Sequence, residues 1–279
     1  MGSSSFRHPL SRPHRETADP RPTEARMPPR HAAPFVEHLY GVHPVAECIR
    51  AGRRRLIKLS LAGRDRLHEL SEALGSSPRV PVELVSREEC QRLCGSGSHQ
   101  GVVAAVGPYP YVDWRDLLEE GPSSMLLALD GLTDPQNVGA ILRSALCAGA
   151  AGVTLRKHHA ALITPAVVKA SAGASEHLRV ALVPNQSLFL REAGEAGFQR
   201  VALSLEGEPL WGSSVSWRAS LVLVVGAEGR GISRLVGESC DRSVRIPMSG
   251  AFDSLNASVA ASLALFEAAR HRTGEAHGA

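Results

Sequence analysis

The sequence is short of aromatic residues, of cysteine and of long apolar runs, and each shortage closes off a class of protein. Aromatics make up 4% of the 279 residues, whereas glycine alone supplies 26. That balance favours small-residue helices packed closely on a sheet over a sandwich rich in Tyr and Trp. The longest apolar runs, such as Met125–Leu129 and Leu221–Val225, fall far short of the ~20 residues a membrane-spanning helix needs, so no membrane is expected. The cysteines (Cys48, Cys90, Cys94, Cys147, Cys240) are odd in number and do not form a disulfide framework. Cys90 and Cys94 stand at helical i,i+4 spacing with no second Cys or His pair at zinc spacing, so no metal is expected. The reading is of reduced thiols in a cytoplasmic protein.

What is present is enough for a real core: apolar residues are 43% of the chain, and its length suits two domains. The net charge of +3 is unevenly spread. Residues 1–34 hold six Arg against three acids, residues 35–108 ten basic against eight acidic, and residues 109–279 fifteen against seventeen. Nucleic-acid binding is therefore expected to lean on the front half, where Arg50, Arg53, Arg54, Arg55 and Lys58 cluster, although such a cluster taken alone is usually an ordinary solvated face.

Residues 1–34 carry seven prolines and no apolar periodicity, so they cannot bury enough surface to offset ordering entropy. They are read as a disordered tail without a secretory h-region, in which Met27 is an alternative start. Residues 35–107 alternate short helices and strands: a helix over Pro44–Ala51, a strand at Leu56–Leu61, and a helix at Asp65–Leu74 with Leu67, Leu70 and Leu74 on one face. A strand at Val82–Val85 follows, then a helix capped by Ser86 with Glu89 completing a capping box, and a strand at Gly101–Val106. Residues 108–123 form a linker. Residues 124–273 again alternate, with strands at Met125–Asp130, Gly152–Leu155, Leu178–Leu182, Arg200–Leu205, Leu221–Gly226 and Ser243–Pro247. The helices fall at Val138–Ala148, Pro165–Ala172, Ser187–Ala196 and Leu255–Arg270. This is the pattern of an α/β fold with a mostly parallel sheet, whose ligands sit at the carboxyl ends of strands.

Three strand ends carry candidate chemistry. After the first comes Asp130-Gly131-Leu132-Thr133-Asp134-Pro135-Gln136-Asn137-Val138-Gly139, in which Asn137 is a natural helix N-cap and Gly139 shares a face with Arg143. A glycine beside a projecting guanidinium lets a ligand or backbone come close while the Arg meets a phosphate or carboxylate. After Leu221–Val225 comes Gly226-Ala227-Glu228-Gly229-Arg230-Gly231, which fits neither a dinucleotide fingerprint nor a Walker A loop. After the strand ending at Ile246-Pro247-Met248, Ser254 or Asn256 caps a last helix. There Ser254 and Ser258 share a face, and Leu255, Val259, Ser262, Leu263 and Phe266 are expected to form the buried stripe.

Together, these segments resemble the three motifs of the SpoU (TrmH-type) RNA 2′-O-ribose methyltransferases, in order and spacing. Asn137 through Arg143 to Ala145 resembles the first, Gly226-Ala227-Glu228-Gly229 the second, and Ile246-Pro247-Met248 through Ser254-Leu255-Asn256-Ala257-Ser258 the third. Ala257 stands where Val is commoner. The front module resembles the family's substrate-binding domain at Gly41-Val42-His43-Pro44-Val45 and His99-Gln100-Gly101-Val102, so the likeness covers about residues 37–271.

The resemblance implies a C-terminal α/β-knot, a trefoil of a kind that periodicity never suggests, behind a small N-terminal α/β substrate-binding domain. It implies S-adenosyl-L-methionine as cofactor, held by Leu203, Ser204, Gly226, Ile246, Met248 and Leu255, largely through backbone groups. It assigns Arg143, Asn137, Glu228, Ser254 and Asn256 to methyl transfer onto a ribose 2′-hydroxyl, most specifically a guanosine of large-subunit rRNA. Arg53, Arg54, Arg55, His99 and Gln100 become candidate RNA contacts. A homodimer with active sites shared between chains is also implied. A tRNA target, a resistance-conferring rRNA target and a non-catalytic RNA-binding assembly factor are the alternatives. The intact Asn137, Arg143, Glu228 and Asn256 set argues against the last, and the presence of a front module argues against tRNA.

Overall fold

The structure, a computed structural model, describes residues 35–75, 80–121, 123–250 and 254–273. The expectation of disorder over residues 1–34 lies outside them. The front module runs β1 (Glu37–Tyr40), α1 (Val42–Ala51), β2 (Leu56–Leu61), α2 (Arg64–Leu74), β3 (Val82–Leu84), α3 (Arg87–Cys94) and β4 (Val102–Val106). Its sheet has the order β1-β4-β2-β3 and is mixed, with β2 and β3 parallel and the other pairs antiparallel. Strand β1 is absent from the sequence pattern. Only Leu39 of its four residues is buried, so it shows no alternation, and pairing with β4 is what makes it a strand. Leu67 is exposed rather than on the buried face of α2, where Leu70 and Ala73 do the packing. Ser86 caps α3 by accepting from Glu89 N at 3.1 Å, but the Glu89 carboxylate binds Arg92 instead of closing the capping box.

The second half runs β5 (Met125–Asp130), α4 (Pro135–Cys147), β6 (Gly152–Arg156), α5 (Pro165–Ala170), β7 (Val180–Val183), α6 (Gln186–Glu195), β8 (Gln199–Pro209), β9 (Leu221–Gly226), α7 (Arg234–Glu238), β10 (Arg242–Arg245) and α8 (Ala257–Thr273). All pairings in the six-stranded sheet are parallel, in the order β10-β8-β9-β5-β6-β7. The chain steps outward from β5 to β7, then crosses to the other side and inserts β9 between β8 and β5. The carboxyl ends of β5, β8 and β9 thus flank a topological switch point, where such sheets bind ligands. Helix α4 begins three residues before the expected start. Asp134, not Asn137, is its N-cap, accepting from Gln136 N and Asn137 N, and Pro135 occupies the first turn, where its missing N–H costs nothing.

Helix α8 overturns the expected core stripe. Its buried face is Ala257, Ala261, Ala264, Leu265 and Ala268, whereas Val259 (48%), Leu263 (38%) and Phe266 (50%) are exposed, as is Leu255. A helix apolar on both sides has no single moment to read, and the small alanines seat closest to the sheet. Among the described residues no helix is long and apolar enough to cross a membrane.

One continuous core joins the front module to the second half and includes Tyr109, while Trp114 and Leu117 belong to a second cluster, so residues 109–117 are packed down rather than dangling. Tyr109, Trp114 and Leu117 are buried, and Val112 bridges to Ala181. The Tyr109 hydroxyl lies 2.8 Å from the carbonyl oxygens of both Ser175 and Leu178 and donates to them. Arg54, whose side chain is wholly buried, pairs with Glu37 from the front module and lies 3.7 Å from Glu176 of the second half. Burial pushes the Glu176 carboxyl up, against the pull of Arg54. At the rim of the junction His177 meets Glu47 at 2.8 Å.

The substitution Arg54→Met is expected to cost about 3–5 kcal/mol near neutral pH, because two carboxylates then face each other without a cation. The folded-state affinity of Glu176 for a proton, already raised, rises further in the variant. Its stability is therefore lost as pH rises and recovered on acidification. Urea midpoints of both proteins at pH 5 and pH 8 test this: the gap should be smaller at pH 5, and an equal gap at both would contradict it.

Candidate active site

A cleft of about 1030 Å³ opens at the middle of β8 and the carboxyl end of β9, closed on its far side by the residues leading into α8. Leu203, Ser204, Gly226, Ile246, Met248 and Leu255 all line it, as do Glu228, Ser254 and Asn256. Leu203 and Ser204 lie within β8, where its pairing with β9 ends and its pairing with β10 breaks register; the others end or follow β9, follow β10 or lead into α8, so backbone amides and carbonyls are left to face a ligand. Gly226 is required there by its own loop. A Cβ would stand 2.1 Å from the carbonyl carbon of Gly231, because the chain doubles back over it and Ala227 bridges to Gly231.

Asp130, at the end of β5, anchors the exit of that loop. Its buried carboxylate accepts from Ser233 N at 2.8 Å, and Arg156 stands 3.6 Å from its other oxygen. The sequence reading assigns it no role; a lone acid ending an otherwise apolar strand is the available signal.

The polar centre is built on Asn256. Its Nδ2 donates to Asn137 Oδ1 at 2.9 Å and to a carboxylate oxygen of Glu228, which also accepts from Ala257 N at 3.2 Å. Its Oδ1 accepts from Ser258 N at 2.9 Å and Val259 N at 3.3 Å, capping α8 as the sequence suggested. Three segments far apart in the chain thus meet at one amide. Glu228 rests on the N-terminus of a long helix, where a free backbone N–H and the helix dipole favour an anion. Ser254 is exposed at the cleft mouth.

Arg143 is not in this cluster. It projects from α4 into solvent, off the cleft, and among the described residues its side chain has no hydrogen bond or ion pair. The close approach promised by Gly139 is to backbone: a Cβ there would stand 2.4 Å from Ala170 Cβ and 2.8 Å from Ser171 N, so Gly139 lets α4 rest on the end of α5. Cys240 lines the cleft, but burial pushes its thiol up to about 12, so it stays protonated and is no nucleophile.

The expected RNA contacts divide sharply. Arg54 is buried in the junction, and Arg53 donates to the carbonyl oxygens of Leu178, Glu176 and Pro110. His99 is buried, and its Nδ1 accepts from Gly101 N at 2.9 Å. Gln100 accepts from Lys169 Nζ at 3.0 Å and from Val42 N at 3.3 Å. As placed, these four hold the protein together; Arg55 alone of the five is exposed and uncommitted among the described residues. The reason is local: the Arg cluster follows α1 directly into the domain junction, where backbone carbonyls and a buried acid await cations.

A parallel α/β sheet with a roomy cleft of mixed polarity at its switch point, and a carboxylate hydrogen-bonded to an amide beside it, is the architecture of an α/β protein that binds a small molecule there. Residues 124–266 match the SpoU rRNA methylase family, and residues 38–112 match the RNA 2′-O ribose methyltransferase substrate-binding domain. The chain belongs to the SpoU rRNA methylase family and is an S-adenosylmethionine-dependent RNA 2′-O-methyltransferase. It is 38% identical over 242 residues to an uncharacterized tRNA/rRNA methyltransferase of Mycolicibacterium vanbaalenii, covering 85% of this chain and 77% of that one. It is 37% identical to the 23S rRNA (guanosine-2′-O-)-methyltransferase RlmB of Acinetobacter baylyi, covering 85% of this chain and 98% of that one. The SpoU methyltransferase AviRb of Streptomyces viridochromogenes, solved with S-adenosylmethionine, is 27% identical with a TM-score of 0.71 over 84% of this chain and 89% of that one.

The cleft suits that cofactor on its own chemistry. It offers half-exposed apolar side chains, Met248 (39%) and Leu255 (40%), beside strand-end backbone groups, a combination fitted to a flat base with polar edges.

Proposed function

We propose that this protein methylates the ribose 2′-hydroxyl of a guanosine in large-subunit rRNA, in the cytoplasm, as a homodimer. The observation that carries the target is the front module fused to the catalytic half through a shared core, together with a likeness to a 23S rRNA guanosine enzyme that extends over 98% of that enzyme. A module so placed acts together with the catalytic half as a single RNA-binding body. In this reading residues 35–107 bind RNA and residues 124–273 carry the chemistry, with the last stretch threaded as the trefoil knot.

S-adenosylmethionine supplies a methyl on a positive sulfonium, so the protein's task is alignment and stabilisation of the oxygen that attacks. Leu203, Ser204, Gly226, Ile246, Met248 and Leu255 hold the cofactor. Arg143 acts as a permanent cation beside the ribose oxygen as it loses its proton; a guanidinium that stays protonated above about pH 12 is a poor base but a strong stabiliser of alkoxide charge. Asn256 holds Glu228 and Asn137 in one plane of hydrogen bonds, and Glu228 is the carboxylate within reach to take the proton through water. Ser254 completes the mouth of the pocket.

The exposed position of Arg143 and the apolar face of α8 support the dimer. Val259, Leu263 and Phe266 recur at i, i+4 and i+7, and Ser262 on the same helix touches Ser144, the neighbour of Arg143, at 2.7 Å. A second copy covering this face buries the stripe and brings Arg143 to the partner's cleft.

Methyl transfer from labelled S-adenosylmethionine to protein-free large-subunit rRNA, small-subunit rRNA and bulk tRNA tests the target. Label on one guanosine ribose of the large-subunit RNA is expected, and label confined to tRNA would overturn it. Phe266→Glu is expected to give a monomer by light scattering, with methyl transfer reduced at least tenfold. A fully active monomer would refute the shared site.

A further inference from the structure

Of the five cations clustered in the front half, Arg53 and Arg54 are committed at the domain junction and Arg50 and Lys58 pair with surface acids, which raises the question of where else phosphates are met. From Pro135 to Ser175 the chain contains no Asp or Glu, yet carries Arg143, Arg156, Lys157 and Lys169 together with His158 and His159. The half of the chain around it, residues 109–279, has fifteen cations against seventeen acids, so outside this stretch eleven cations face all seventeen. Charge is therefore segregated within a half that is acidic on balance.

The densest segment of the stretch, Arg156-Lys157-His158-His159, stands at the carboxyl end of β6, on the same rim of the sheet as the cleft. Strand β6 neighbours β5, and β5 neighbours β9, so Arg156 lies two strand spacings, roughly 10 Å, from Gly226. The loop is fixed rather than trailing: Lys157 N donates to Val183 O at 2.9 Å, and Ala161 N donates to Leu132 O at 2.9 Å, beside the turn that leads to Asn137. Lys157, His158 and His159 are exposed, and among the described residues their side chains have no hydrogen bond or ion pair. Arg156 is half-exposed and reaches Asp130 only at 3.6 Å.

We infer that Arg156–His159 is a phosphate-binding surface that grips the backbone of the substrate RNA beside the target nucleotide. This rests on the RNA-methylating function above and adds a contact surface to it. An RNA strand whose target ribose lies over the cleft passes this loop. Lys157 meets its backbone as an uncommitted point charge, and the two imidazoles add donors that tolerate any base sequence.

The test uses the full chain, a protein-free large-subunit rRNA transcript and the variant Lys157→Glu/His158→Ala. Arg191→Glu on α6 is the control, an exposed arginine reversed in the same way. The loop variant is expected to bind S-adenosylmethionine as the natural protein does and to raise KM for the transcript about tenfold, with a smaller effect on kcat. The slope of log affinity against log salt is expected to shrink by roughly 0.7 for each phosphate the loop no longer neutralises. Lys157→Arg is expected to retain the natural KM and slope. An unchanged KM and slope in the loop variant, or an equal loss in Arg191→Glu, overturns the inference and leaves the loop to an acidic protein partner. A natural protein that binds cofactor but neither binds nor methylates the transcript overturns the rRNA reading as well.

Discussion

The candidate site hangs on one side-chain amide. Asn256 must satisfy the free backbone amides at the start of α8 with its oxygen while its nitrogen ties Asn137 to Glu228. Neither half survives without the other. A cap alone is worth about 1 kcal/mol and would be met by Ser or Asp, but neither carries an N–H pair that reaches two acceptors on separate elements. The amide thus couples the geometry of a helix terminus to that of the α4 start and the β9 loop. The other elements serve this meeting: Asp134 and Pro135 fix where α4 begins, Gly139 sets how closely it rests on α5, and Asp130 pins the far end of the loop bearing Glu228.

The domain junction obeys a second constraint, that buried charge must be matched. Arg54 answers two acids from different regions of the chain, and Arg53 satisfies carbonyl oxygens at the end of the turn around Glu176. These cations fasten the front module to the catalytic half, and their charge is matched there within the protein. A basic cluster in a sequence counts charges without saying which are already spent. That distinction moves attention from the front module to the acid-free stretch that borders the cleft.

Much of this is legible in the sequence. The strands of the parallel sheet read clearly because a buried strand is a short apolar run between turn residues, as at Met125–Asp130 and Leu221–Gly226. The three motif segments fall at strand ends, and six expected cofactor contacts do share one cleft. What escapes is decided by tertiary context. Asp134 rather than Asn137 caps α4 because a proline follows it. Strand β1 exists only through its partner. The stripe Val259, Leu263, Phe266 looks like core to any periodicity argument, yet alanines take the side facing the sheet and leave the larger residues outside. Arg53 and Arg54 are indistinguishable from surface arginines until the acids and carbonyls they meet, from 17 to 125 residues away, are in view.

The central claim, that Asn137 and Glu228 act as one unit through Asn256, is tested most directly by a double-mutant cycle on methyl transfer. Rates of Asn137→Ala, Glu228→Gln and the double variant would be compared with the natural protein at saturating cofactor. The account predicts strong non-additivity, with the double variant little slower than the worse single one and a coupling of about 1–3 kcal/mol. Effects that simply add would mean the two residues act independently, and the bridge would then be no more than a helix cap.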